Sequence, residues 1–259
     1  MEETGKNPIQ VAERLFQVIE RLAENGPMGI MDLSAELGFH KSTTHRLVTS
    51  LQYMGYIRQD EESLKYALSL KFLEIGSKIL EQTNMASLIH PSLKKLSEQT
   101  GETVHLVRRE GTEAVYIDKV ESTVSSIRMV SRVGSRIPLY CSGVGKAIMA
   151  TLPDEEVKKI WNESIIEKKT DKTITDFSQM QEVLEEVRQN GYALDDEENE
   201  KGVRCIAACL HGYQKEVKYA FSISGPTSRM TRERVKELAV DVKKVQEELS
   251  RELGYYPQN

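Results

Sequence analysis

Six side chains set close together, Ser42, Thr43, His45, Arg46, Thr49 and Ser50, have the chemistry needed to read the edges of nucleobases. They are short hydrogen-bonding groups, an imidazole and one fork-shaped cation, and no carboxylate occurs from Leu37 to Gln59. Interleaved with them, Thr44, Leu47, Val48, Leu51 and Met54 recur at the spacing of one helix face. A helix with an apolar back and a small, polar, acid-free front suits the major groove of DNA, which offers donors, acceptors and thymine methyls. Arg46 is expected on a phosphate or a guanine and Lys41 on a phosphate. Ser42, Thr43, His45 and Thr49 are expected near base edges or backbone. The plainer reading of the same residues is an αα-hairpin with a solvated outer face.

The neighbouring segments supply what must hold such a helix in place. Leu33 and Leu37 mark a preceding helix that Gly38 breaks, and the short glycine-containing turn is that of a helix-turn-helix. After the second helix, GYIRQDEESLKYALS reads as strand, turn, strand, with a polar tip at Asp60-Glu61-Glu62-Ser63. A hairpin in that place is a wing, and it would bring Arg58 and Lys65 near phosphates. Upstream, Ile9 to Glu24 is amphipathic, through Ile9, Ala12, Leu15, Phe16, Ile19, Leu22 and Ala23. Three helices and a β-ribbon make a winged helix-turn-helix.

The run HKSTTHRLVTSL followed by GYI, together with segments described below, resembles the IclR family of bacterial transcription regulators from about Ile9 to Gly254. His40 stands where that family often has proline. The resemblance implies an α+β chain in three parts. These are a winged helix-turn-helix DNA-binding domain over 1–68, a linker helix over 69–84 and a GAF-like effector-binding domain over 85–259. It further implies a cytoplasmic, ligand-responsive regulator, a repressor more readily than an activator. The partners would be a double-stranded DNA operator and a small organic or sugar acid, with assembly as a homodimer or a dimer of dimers. No enzyme activity and no cofactor are expected. The reading from another class is a metabolite-binding module or enzyme whose N-terminal domain docks a protein partner.

Composition agrees with a globular protein of one large or two modest domains. The 259 residues contain no apolar run near the ~18 needed for a membrane span, and MEETGKNPIQ lacks a signal-peptide core. Cys141, Cys205 and Cys209 have no disulfide-framework spacing and read as reduced thiols. Residues 1–83 hold nine Lys/Arg against twelve Asp/Glu, so the DNA-reading half is itself acidic. Positive charge is local, at Lys41, Arg46, Arg58 and Lys65. That pattern favours base readout over indiscriminate coating of DNA.

Beyond the wing, Leu68 to Gln82 is a helix with Phe72, Ile75 and Ile79 on one stripe and Leu73 and Leu80 beside it. It is either a dimerising linker or a plain amphipathic helix on its own domain. A helix over Ser87 to Thr100 then ends at Gly101, with Pro91 in its first turns. Thr103 to Arg108 and Ala114 to Val120 form a hairpin, Ser126 to Val133 another strand, and Gly134 to Pro138 a loop. Short helices are expected over Gly143 to Ala150, Glu155 to Trp161 and Ser178 to Gln189, the last two flanking a Lys/Thr-rich loop. Strands over Tyr192 to Leu194, Val203 to Leu210 and Val217 to Ser224 precede a long helix, Thr231 to Leu253. Antiparallel strands with helices at start and end give α+β.

Three segments of this half resemble the family's effector pocket: GSRIPLYCSGVGKAIMA, GYALDDEENEKGVRCIAACL and SISGP. Each has its own physical sense. Gly143-Val144-Gly145 opens a helix whose free N–H groups can hold an anion. Ser222 and Ser224, two apart on a strand, present hydroxyls on one face. Asp195, at a strand end, can accept from ligand hydroxyls. The resemblance places the effector on Gly143, Val144, Asp195, Cys205, Ser222 and Ser224, with apolar walls from Met129, Ile137 and Val203. The YCSGVGKAIMA wording most resembles KdgR-type regulators of hexuronate and pectin catabolism, which implies 2-keto-3-deoxygluconate as effector.

Other chemistries fit less well. SGVGKA is not a Walker A loop, because Tyr140 replaces its first glycine and Ala147 its magnesium-binding hydroxyl. Cys141, Cys205, Cys209 and His211 contain no C-x-x-C pair for zinc, although a metal in the effector pocket stays open. No base with an orienting partner is evident for a cysteine nucleophile. His90 and His105 read as surface or boundary residues, and the acidic run Asp195 to Glu200 as mostly a solvated loop in which only Asp195 is functional.

Overall fold

In the computed structural model, residues 8–82, 84–122, 131–213 and 217–256 are described. The chain divides into two compact units, Met1–Thr83 and Asn84–Asn259. No described helix is long and apolar enough to cross a membrane.

The first unit packs α1 (Gln10–Asn25), α2 (Ile30–Leu37) and α3 (Lys41–Tyr53) around Val18, Leu22, Leu33, Leu47, Val48 and Leu51. Gly38 ends α2 in the left-handed conformation, φ 65°, which costs glycine little and most other residues more. Thr44, on the apolar side of α3, is fully buried, and its hydroxyl lies 3.0 Å from that of Ser34 on α2. Burial of Thr44, Leu47, Val48 and Leu51 follows the expected stripe. Met54 does not, and is 39 % exposed: α3 ends at Tyr53 and the chain turns through Gly55, so helical periodicity no longer applies. On α1 the buried residues are Val18 and Leu22, while Ile9 and Phe16 are exposed.

The wing pairs β1 (Ile57–Gln59) with β2 (Tyr66–Leu68), antiparallel, Arg58 opposite Ala67. Met28 adds a bridge to Tyr66 that the sequence did not announce. The helix α4 (Lys71–Gln82) is anchored to this unit at its start, where Phe72 packs on Tyr56 and Lys71 Nζ lies 4.3 Å from that ring.

The second unit is built on one antiparallel sheet. Its strands are β3 (Thr103–Glu110), β4 (Glu113–Val120), β5 (Arg136–Pro138), β6 (Ala193–Asp196), β7 (Val203–Leu210) and β8 (Tyr219–Pro226), ordered β5-β4-β3-β8-β7-β6. One face is covered by α5 (Met85–Thr100) and α9 (Arg232–Glu252) over Leu106, Ile206, Phe221 and Ile223. The other is covered by α6 (Gly143–Met149), α7 (Asp154–Glu163) and α8 (Phe177–Asn190) over Val107, Ala114, Ala207 and Cys209. The α+β architecture is the expected one.

Two details differ from expectation. Arg136 to Pro138 is an edge strand rather than a loop, pairing Ile137 with Ala114, and an edge tolerates the missing proline N–H. The strand expected over Ser126 to Val133 lies mostly, and Met129 wholly, outside the described residues.

Candidate functional site

On α3 Lys41, Ser42, His45, Arg46, Thr49 and Ser50 are exposed, as are Gln52 and Tyr53 at its end, with Thr43 half-buried. The front is therefore contiguous, and among the described residues its side-chain bonding is a 3.5 Å contact between Thr49 Oγ1 and His45 Nδ1. Arg58 and Lys65 are exposed on the wing. Among the described residues none of Lys41, Arg46, Arg58 and Lys65 forms a salt bridge. Four exposed cations outside these salt bridges and an acid-free helix face could meet phosphates and base edges.

In the second unit, strand register assembles a polar row across the face that α6 covers. Asp195 pairs with Cys205, Cys205 with Ser224 and Ser224 with Thr103; one step along, Ser222 pairs with His105. A cavity of about 370 Å³ opens on this row. Of the residues proposed from sequence, Ile137, Asp195, Val203, Cys205 and Ser224 line it. Ser222 sits behind, its hydroxyl 3.4 Å from that of Ser224.

Gly143 and Val144 are buried within α6, Gly143 packing against Asp195 and Ala207. The anion-holding N–H groups expected at this helix are not all free: the Ser142 hydroxyl accepts from Gly145 N at 3.1 Å. Gly145 serves packing, since a Cβ there would overlap the Leu139 backbone. Lys146, the lysine of the false phosphate loop, is buried and paired with Glu198.

Sequence reasoning missed several lining residues: His105, Tyr116, Ser131, Ser135, Arg136, Lys169, Asn199 and Glu200. His105 corrects the surface assignment. It is buried, with Nε2 2.7 Å from Ser131 Oγ and Nδ1 3.3 Å from Ser224 Oγ. Burial, helped by the Lys119 charge, pushes its pKa down to about 3, so the ring is neutral. A signal existed, because Thr103 and His105 alternate with Val104 and Leu106 along β3. Of Asp196 to Glu200 only Glu200 is exposed as a solvated loop would be: Asp196 meets Arg204 at 2.6 Å, Glu197 meets Lys172 at 2.6 Å, and Glu198 is buried. His90 is exposed as expected, paired with Asp118 at 2.7 Å.

Asp195 is the most perturbed acid of the cavity. Burial pushes its pKa up to about 7, against the pull of Lys146 and of the Glu198 and Asn199 N–H groups that donate to Oδ1. The thiol of Cys205 is pushed up by burial and by Asp195, the opposite of what activates a nucleophilic cysteine. Among the described residues, no three His, Cys, Asp or Glu side chains converge as a metal site. The cavity can exchange hydrogen bonds with an oxygenated ligand; it has no assembled nucleophile.

Comparison with known proteins places the chain as a whole. Residues 11–61 match the IclR helix-turn-helix domain, and residues 77–251 match the bacterial transcriptional regulator IclR C-terminal domain. This chain belongs to the IclR family. It is 36% identical over 249 residues to the transcriptional repressor IclR of Escherichia coli K12, covering 95% of this chain and 90% of that one. It is 34% identical over 253 residues to the KdgR regulator of the same organism, covering 97% and 96%. The crystal structure of Thermotoga maritima IclR aligns with a TM-score of 0.64 at 32% identity, covering 95% of this chain and 99% of that one. The protein is accordingly an IclR-family DNA-binding transcription regulator, not an enzyme. The α3 face and the sheet cavity are its two candidate sites.

Proposed function

We propose that this IclR-family protein represses transcription from an operator and is released or retuned by a small organic acid bound in its second unit. Residues 1–68 read DNA, 69–84 link, and 85–259 sense the effector. Arg46 takes a phosphate or guanine and Lys41 a phosphate. Ser42, Thr43, His45 and Thr49 lie near bases or backbone, and Arg58 and Lys65 reach phosphates from the wing. Asp195, Cys205 and Ser224 hydrogen-bond the effector against Ile137 and Val203, with Ser222, Gly143 and Val144 supporting them.

The observation that carries this reading is the polar row Asp195–Cys205–Ser224 lining one cavity, paired in register across adjacent strands. The cavity volume lies within the roughly 300–1,000 Å³ usual for small-molecule sites. Its hydroxyls, neutral imidazole and cations suit a hydroxylated keto acid, and 2-keto-3-deoxygluconate is the effector we propose. The exposed apolar side chains Leu73 and Ile75 of α4, and Phe16 of α1, support assembly as a homodimer that presents two reading helices.

The test is a thermal-shift series with sugar acids and keto acids on the full chain, with operator binding measured alongside each hit. A stabilising acid that changes operator affinity supports the proposal. No stabilisation by any acid, or stabilisation without change in DNA binding, sinks the sensing role. A partner-docking N-terminal unit would show no salt-sensitive DNA affinity and no effect of Arg46→Ala.

A further inference from the structure

The cations around the effector cavity are unequally engaged. Arg136 lies 2.8 Å from Glu110 and 3.4 Å from Glu113. Lys146 is paired with Glu198. Next to the cavity in sequence, Lys168 lies 3.6 Å from Asp171, and Lys172 lies 2.6 Å from Glu197 and 3.4 Å from Asp196. Lys169 lines the cavity with Asp195, Cys205 and Ser224, and among the described residues no carboxylate lies within 4.0 Å of it.

Its backbone is also pinned on both sides. The Tyr140 hydroxyl donates to Glu167 O at 2.9 Å and accepts from Glu167 N at 3.0 Å. Thr170 Oγ1 donates to Glu197 O and Thr173 Oγ1 to Glu198 O, each at 2.6 Å, while Thr170 N donates to Thr173 Oγ1 at 2.8 Å. The segment has no helix or strand, yet it is clipped to the chain ahead of α6 and to the loop after β6. A charge on a pinned backbone has less ordering entropy to lose when a ligand arrives. The ammonium's field is felt inside the domain, at the buried thiol just ahead of α6: burial pushes Cys141 up to about 12, and Lys169 is the leading influence in the opposite direction.

We propose that Lys169 is the residue that selects the effector by its negative charge, holding the carboxylate at the cavity rim while Asp195, Cys205 and Ser224 contact the rest of the molecule. This rests on the effector-cavity reading above. Glu200, exposed on the same lining, opposes Lys169 and moderates the attraction.

Calorimetry on the full chain with pyruvate and its uncharged analogue pyruvamide, and with 2-keto-3-deoxygluconate, tests the assignment. The wild type is expected to bind pyruvate more tightly than pyruvamide. Lys169→Met should weaken both acids roughly tenfold, a modest loss because the rim is solvated, and leave pyruvamide unchanged. Lys169→Arg should keep most of the acid affinity, and Glu200→Gln should raise it. Unaltered acid binding by Lys169→Met overturns the role of Lys169 and leaves the cavity standing. Equal loss of acid and amide makes the residue structural and also overturns it. Wild-type protein that binds neither acid defeats the cavity reading together with the lysine.

Discussion

At the scale of single residues, the two sites make opposite demands. Arg46 is exposed and free of salt bridges, so its removal should cost DNA contact without disturbing the fold. Arg46→Ala is expected to weaken operator binding by roughly 1–3 kcal/mol per half-site, in a gel-shift or anisotropy titration, with effector binding unchanged. Asp195 and His105 instead carry a stability cost, each held by burial in its neutral form. Asp195, at about 7 in the native chain, keeps a proton that the unfolded chain releases near its ordinary 3.8, so this group lowers stability as pH rises through that window. His105, near 3 in the native chain, refuses a proton that the unfolded chain takes up at its ordinary 6.5, so it lowers stability as pH falls through that window. From about pH 4 to 6.5 the two slopes oppose each other. In thermal melts without ligand, Asp195→Asn should become more sensitive to acid and His105→Gln more sensitive to base. Each limiting slope is about 1.4 kcal/mol per pH unit at most. Matching pH profiles for both variants and wild type would remove the buried-neutral account.

At the scale of elements, the chain's helices and strands were largely legible because their periodicities are strong. The α3 stripe, the β3–β4 hairpin, β7 and the long α9 fall close to where spacing put them. What was illegible has physical reasons. Three residues, Arg136 to Pro138, are too few to show alternation, and only the presence of β4 turns them into a strand. The glycines of α6 look like an anion nest in sequence, yet Gly145 is there because the Leu139 backbone fills the space a side chain would take. Gly145→Ala should therefore cost about 1–3 kcal/mol by overpacking, seen as a lower melting midpoint of the second unit and not as selective loss of ligand. Ser34 and Thr44 tie α2 to α3 through a buried 3.0 Å hydroxyl pair. Thr44→Val leaves the Ser34 hydroxyl its Ile30 carbonyl partner at 2.7 Å, so its effect should stay near 1 kcal/mol or below.

At the scale of the whole molecule, charge and symmetry set how DNA is met. The first 83 residues are net acidic, so affinity must come from a few placed cations, which the proposed homodimer would double. Lys65→Ala should reduce the slope of log affinity against log salt by about one per protomer while sparing sequence preference. An unchanged slope would move the wing away from the phosphates. By itself the sequence determined the helix stripes and the acid-free front of α3, because local periodicity and short-range composition encode those directly, and its motifs carried the family resemblance. Only the tertiary structure decided which polar residues share a cavity. Asp195, Cys205 and Ser224 come from three consecutive strands and His105 from β3, remote in the chain, and strand register is what sets them side by side.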